Sequence, residues 1–484
     1  MRYLARRYGE YFGRRIPDVL TIGENQVERQ RLETRKDPVF ISGDIVVINR
    51  INRLNTREFI RTVTNVRTRF PDKLVYLPAF GLPNDYPVLF YMGIDLLDDS
   101  AIHLLGDERC VSEFGQYRGK GCIERNLGEK RRVMDLINLS LENNRFRELV
   151  ETHSFTNFTR EALRILDMEF YPYIQNFMDY RPKSIVAASL EGVYRPEIVD
   201  FRNRMENLRQ TADSLLLMPC SAIKPYSNSK THRILHSFIG QYLGGIQEVI
   251  VTSPLGLVPR ELESFFPAMY YDIPVTGHWF EEEKKVLRDI GERYFRNKKY
   301  ANVFYLLPDE EGGILELFDN AEGVKGSINF ENSEKIAKII SSHNIPSDRK
   351  RKESVEYWNV LKYIFDLDLE QGKISQRKEG NRRIVLYGGS PILKRTVSGL
   401  TMMKGLGEIL IAEGIRTVET EGIFSGDNLF LPGIRGISED VKPGMEVVLS
   451  LDGRAVGRGV AQVSRMDVGI EKKGIGVSEV SYFE

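Results

Sequence analysis

Apolar runs of strand length alternate with amphipathic stretches over roughly the first two thirds of the chain, and the texture then changes twice. PVFISGDIVVINR, a helical REFIRTVTNVRTRF, the short run KLVYLPAF and the apolar PVLFYMGIDLLDDS follow one another. Such alternation predicts an α/β layer with a mostly parallel sheet. Residues 124–150 read as one charged amphipathic helix, and RFRELVETHSFTNFTREALRILDMEF as two more. A second α/β pattern begins at about residue 184 with SIVAASL, SLLLMPCS, QEVIVTSPLGLVP and ANVFYLLP, separated by helical stretches at 230–243 and 281–297. These runs predict parallel strands buried on both faces.

Beyond residue 330 the chain turns polar, and Arg349 to Lys352 form a charge run in a Pro-marked joint. The last seventy or so residues are all-β in character, with an Asp452-Gly453 turn between two strands. They predict a small closed or partly closed barrel. The expected architecture is a multidomain α/β plus β protein divided at 1–183, 184–330, 331–413 and 414–484, which agrees with 484 residues at about 150 per domain.

Hydrophobic residues are 42% and charged residues 28%, an ordinary globular composition. No run of eighteen apolar residues occurs, and MRYLARRYGEYFGRR lacks an apolar targeting core, so a cytoplasmic protein is expected. Lys+Arg and Asp+Glu both number 68, so any polyanion must be met by local patches. The three cysteines, Cys110, Cys122 and Cys220, make no CxxC pair. Neither a disulfide framework nor a structural zinc site is expected from that spacing.

The stretch SLLLMPCSAIKPYSNSKTHRILHSFIGQYLGG carries the chemistry. An apolar strand runs into Pro219-Cys220, a polar loop holds Lys224, Pro225, Tyr226 and Ser229, and a helix capped by Ser229 carries His232 in its first turn. Strand ends that pass into helix starts are where open α/β sheets bind ligands. A thiolate at Cys220, ionised near neutrality by Lys224 and the helix start, suits attack on an electrophilic carbon. His232 suits proton transfer, and Tyr226 and Ser229 suit orientation of a substrate. The plain alternatives are that Cys220 is a small core residue and the Lys-Pro-Tyr loop only a turn. A His232/His236 zinc site lacks a third ligand, so no metal and no cofactor are expected.

Pro219-Cys220, three residues, Lys224-Pro225-Tyr226, two residues, Ser229, two residues and His232 together resemble the signature of the archaeosine synthase family, archaeal tRNA-modifying enzymes. The flanking SLEGVYRPEIVDFRNR and VTSPLGLVPRELESFFPAMYYDIPVTGHW are similar to that family as well. The resemblance implies a tRNA substrate carrying 7-cyano-7-deazaguanine at D-loop position fifteen, whose nitrile becomes an amidine. It implies a free amino-acid donor, lysine or glutamine, and a radical-SAM partner enzyme for the lysine route. Cys220, Lys224 and His232 are then the expected catalytic residues. Ser253, Arg260, Glu261, Asp272 and His278 are expected, with Pro219, Pro225, Tyr226 and Ser229, to bind donor or base, although Arg260 and Glu261 equally suit a structural ion pair. Oligomeric state stays open, with a dimer among the options.

YPVLFYMGIDLLDDS resembles the tRNA-guanine transglycosylases, with Asp98 at the place of their nucleophilic aspartate. Asp99, Ser100 and Ala101 replace the expected Pro-Thr-Arg, and Cys110 and Cys122 are what remains of a zinc site. The N-terminal part is therefore expected to be a degenerate TIM-barrel-like domain without catalysis, short of the residues that an eight-stranded barrel takes. Gly433, Pro443 to Val448 and Val456 to Gly459 resemble a PUA domain, in which Arg435, Arg454, Arg458, Lys472 and Lys473 would meet RNA phosphates and the glycines would let RNA approach. Arg349, Lys350, Arg351, Arg377, Lys378, Arg382 and Arg383 offer a second basic surface in the linking segment. Two other functions fit the same residues: an active transglycosylase working through Asp98, and a non-catalytic tRNA-binding scaffold.

Overall fold

The computed structural model describes residues 10–11, 14–21, 37–49, 54–181, 184–187, 189–273, 278–380, 382–396, 399–465 and 473–483. They form two compact units, Met1–Asp179 and Tyr180–Glu484. Among the described residues no helix is long and apolar enough to cross a membrane.

In the first unit, Asp18–Leu20, Leu96–Asp98, Leu74–Leu77 and Ile45–Ile48 pair in parallel in that order, and Val39–Ser42 closes the edge antiparallel. Helix Thr56–Arg69 starts where Asn55 caps the amide of Glu58, and it buries Phe59, Ile60, Val63 and Val66 at helical spacing. This sheet has five described strands, fewer than the eight of a complete barrel, which fits a reduced transglycosylase-like domain. The helix expected over 124–150 is broken: Cys122–Glu142 ends at Asn143, Asn144 takes a positive φ of 56°, and Phe146–Thr152 begins a new helix.

Cys110 and Cys122 are joined by a disulfide, which corrects the expectation that no cysteines pair. Spacing misled because the hairpin Arg109–Ser112/Gly115–Arg118 folds the chain back on itself. Gly119 fits between the two sulfurs, where an added Cβ would press on both.

The second unit opens with a five-stranded sheet in the order Gly256–Pro259, Ile246–Thr252, Ser214–Pro219, Asn302–Leu307, Ala321–Lys325. The last four are mutually parallel, and Gly256–Pro259 is antiparallel to its neighbour. QEVIVTSPLGLVP is therefore a hairpin rather than one strand, because Gly256 at φ 81° reverses the chain. SIVAASL contributes only Ile185–Val186, paired with Tyr271–Asp272 outside the main sheet. Every residue of Ser214–Pro219 and of Ile246–Thr252 is buried, as expected of strands covered on both faces.

Helix Phe330–Ser341 lays Ile336 and Ile340 into the core of this sheet. The charge run at 349–352 lies in the first turn of helix Arg349–Phe365, capped by Asp348. That helix sends Val360 and Tyr363 into the α/β core and Trp358, Leu361 and Phe365 into the next one. An antiparallel meander, Ile374–Glu379, Arg382–Tyr387, Ser390–Thr396 and Gly399–Met402, forms a half-barrel. A six-stranded sheet follows, closing around Val418, Leu429, Val447, Leu449 and Val477. Its Gly457 and Gly459 are answered by packing: a Cβ at either would strike the strand Ile475–Tyr482.

Candidate active site at the end of the Cys220 strand

The strand Ser214–Pro219 lies between two parallel neighbours, and the chain visits Ile246–Thr252 on one side before Asn302–Leu307 on the other. The strand order reverses here, and the carboxyl ends of strands at such a switch point are where open α/β sheets bind ligands. Cys220 is the next residue, partly exposed, with its amide donating to Val251 O at 3.1 Å. The loop returns Lys224 beside it: Nζ donates to the carbonyl of Tyr271 at 2.8 Å and sits 3.8 Å from the centre of that ring. Burial lowers the Lys224 pKa, while the charges of Cys220 and Asp272 oppose the drop.

Burial pushes the Cys220 thiol up; a hydrogen bond with Thr252 and the charge of Lys224 pull it down, and Glu311 adds to the rise. The expectation of a thiolate held ionised near neutrality is thereby corrected, since removal from water outweighs the ammonium group. Behind the sulfur runs a buried hydroxyl chain, with Thr252 Oγ1 2.5 Å from the Tyr271 hydroxyl and that hydroxyl 2.7 Å from Tyr226 OH.

Ser229 caps helix Lys230–Ile239 as expected, its Oγ accepting from the His232 amide at 3.2 Å. It is 3% exposed, so its hydroxyl serves the helix and not a ligand. Tyr226 is fully buried, stacked on the His232 ring, which corrects its expected contact with substrate. His232 is fully buried too. An Arg260 Nη donates to its Nδ1 at 3.0 Å, so its Nε2–H donates to Pro219 O at 3.1 Å. Both ring nitrogens are spent, and burial with the Arg260 charge lowers its pKa to about 3. The expected proton shuttle is corrected to a neutral prop under the strand end.

The downstream residues divide. Arg260 pairs with Glu248 at 2.9 Å and Glu263 at 2.8 Å, the structural alternative, although not with Glu261. Because Gly256–Pro259 runs antiparallel, Glu261 lies toward the amino ends of the parallel strands, away from Cys220, and accepts from Asn359 at 2.6 Å. Burial and the neighbouring Glu356 raise its pKa to about 7. Ser253 hydrogen-bonds to Glu283. Pro219 is the buried last residue of its strand, Pro225 follows Lys224 through a cis peptide, and Asp272 is exposed near Lys224. His278 is exposed, and His236 is held by Glu248 at 2.6 Å.

Three residues of the crevice were missed in the sequence. Thr252 ends the strand beside Cys220, Tyr271 lies in a two-residue strand, and Glu311 lies in the 3-10 turn Asp309–Leu317 after Asn302–Leu307. Position after a parallel strand was the available signal for Thr252 and Glu311. Glu311 is 8% exposed, and burial raises its pKa to about 8.

In the first unit Asp98 is 1% exposed and saturated: it accepts from Tyr76 OH at 2.6 Å, Ala79 N at 3.0 Å and Ser100 N at 2.8 Å. In the C-terminal domain Arg435, Arg454 and Lys473 are exposed, and Arg458 leans on Glu446 at 3.3 Å. Lys472 lies outside the described residues.

Residues 198–342 match a family described as a domain of unknown function, DUF5591, and residues 414–479 match the PUA domain. An archaeosine synthase subunit alpha of Thermoplasma acidophilum is 28% identical over 97% of this chain and 92% of its own. One from Methanosarcina acetivorans is 26% identical over 87% and 77%. A tRNA-guanine(15) transglycosylase of Methanocaldococcus jannaschii is 21% identical over 53% and 42%. Likeness that runs through both units and ends in a PUA domain means that the chain belongs to the archaeosine synthase family, itself related to the tRNA-guanine transglycosylases.

Proposed function

We propose that the Cys220 crevice converts the nitrile of 7-cyano-7-deazaguanine, carried at D-loop position fifteen of a tRNA, into an amidine by adding an amino-acid amine. Convergence of the Cys220 thiol and the Lys224 ammonium at the strand switch point is the observation that carries this reading. The thiol adds across the nitrile, its sulfur bonding to carbon and its proton ending on nitrogen, to give a thioimidate. The donor amine then bonds to that carbon, and the C–S bond breaks to restore the thiol. Lys224 favours the thiolate through its charge, and His232 fixes the strand end from which the sulfur projects.

Lysine is the favoured donor and glutamine the other candidate. A radical-SAM enzyme is the proposed partner that finishes a lysine adduct, and the name "subunit alpha" borne by the two relatives supports work beside a second protein. The PUA domain supports a grip on RNA, with Arg435, Arg454 and Lys473 meeting phosphates in the cytoplasm. Reaching a base within folded tRNA requires exposing it, at a cost of a few kcal/mol that binding elsewhere on the RNA offsets.

Mass spectrometry of nitrile-bearing tRNA incubated with the protein and each donor tests the proposal. A mass gain equal to lysine, lost in Cys220→Ala, is expected. Full activity in Cys220→Ala excludes the covalent route, and no gain with any donor excludes the activity.

A further inference from the structure

A buried carboxyl group near the carboxyl end of the neighbouring strand has no task in the chemistry above. Glu311 follows Asn302–Leu307, the parallel neighbour of the Cys220 strand on the side away from Thr252. Leu217 pairs with Tyr305, so Pro219 and Leu307 end their strands at one level, and the turn carrying Glu311 starts where Cys220 starts its loop. Thr252 and the turn that carries Glu311 thus belong to the two strands on either side of the Cys220 strand. After burial, the charge of Glu311 adds to the upward pull on the Cys220 thiol, against the Thr252 hydrogen bond and Lys224.

Glu311 is also uncompensated. It is 8% exposed, and among the described residues its Oε2 meets no hydrogen-bond donor. Burial alone moves its pKa, with no cation drawing it back. An unpaired carboxyl kept from water costs stability, and a structure that retains one at the mouth of a strand switch point has left room for a cationic partner. Lys224 is already directed at the Tyr271 carbonyl.

Resting on the nitrile chemistry proposed above, we infer that Glu311 receives the ammonium group of the incoming donor beside Cys220 and takes a proton from it. The ammonium favours the ionised carboxylate on arrival. One proton passes from nitrogen to Glu311, the freed lone pair forms the C–N bond, and the C–S pair leaves with sulfur. Glu311 returns its proton to the departing sulfur. Thioimidate plus ammonium thereby gives amidinium plus thiol, with hydrogens and charge balanced and no further reactant. The donor class is a primary aliphatic amine that is protonated in solution.

The test compares wild type, Glu311→Gln and Glu311→Asp on nitrile-bearing tRNA with two nucleophiles: lysine, charged at neutral pH, and hydroxylamine, uncharged there. Glu311→Gln should lose about a hundredfold or more in kcat/KM for lysine and stay within a fewfold of wild type for hydroxylamine, while Glu311→Asp recovers part of the lysine rate. Equal losses with both nucleophiles, or none with either, would overturn the inference. Independently of turnover, the pH midpoint for alkylation of Cys220 by iodoacetamide should fall in Glu311→Gln, because a negative neighbour has gone. An unchanged midpoint would remove Glu311 from the sulfur's surroundings. A wild-type chain inactive with every nucleophile would sink the nitrile reading instead, while the midpoint still reports on the pair.

Discussion

The imidazole of His232 is tied by Nε2 to the carbonyl of Pro219, at 3.1 Å, one residue before the thiol. With Arg260 on its other nitrogen, the ring stays neutral and locks the turn from strand to loop. A folded-state pKa of about 3 lies below the value near 6.5 of an exposed imidazole. The unfolded chain therefore binds this proton first as pH falls, and stability is lost from about pH 6.5 downward. Between pH 7 and 5 this one group should cost the wild type about 2 kcal/mol, a loss absent from His232→Gln. Urea denaturation of both at several pH values checks it; parallel curves would show that His232 is not held neutral.

Lys224 bears on the sulfur through charge. Replacing it by Met should raise the pH at which Cys220 is alkylated and slow modification at neutral pH severalfold. Unaltered alkylation kinetics in Lys224→Met would separate the two groups.

Asp98 holds three donors and faces no open space. Asp98→Asn should leave amine addition unchanged and lower stability by about 1–3 kcal/mol, since a charged acceptor is lost where its donors stay buried. Thermal unfolding and the tRNA assay read the two effects separately. Base exchange abolished by this substitution would mean that the first unit is a working transglycosylase.

Arg454 and Lys473 are exposed in the PUA domain. If each neutralises one phosphate, Arg454→Ala and Lys473→Ala should each reduce the slope of log affinity against log salt by about one unit. Binding measured over a salt series checks this, and unchanged slopes would move the RNA to another face.

Strand runs and the Ser229 cap were legible because burial on both faces and capping leave local marks in sequence. Roles were harder to read. The motif histidine looks the same in sequence whether its ring faces solvent or Arg260, a residue 28 positions away. Tyr271 and Glu311 join the site only through tertiary pairing, Tyr271 from inside a stretch whose likeness drew attention to its neighbour Asp272 instead. The disulfide escaped because a 12-residue separation becomes a contact only once the hairpin has formed. Glu261 seemed adjacent to Arg260 in purpose as in sequence, until the reversed edge strand carried it to the other end of the sheet.

The switch-point topology also orders events in time. The thiol is translated early, yet the segment that flanks it on one side arrives about ninety residues later, with the strand Asn302–Leu307. A nascent chain stopped short of that strand exposes Cys220 along an unpaired strand edge, open to any oxidant or stray electrophile. The strand that completes the site is thus also the one that ends the exposure of that edge.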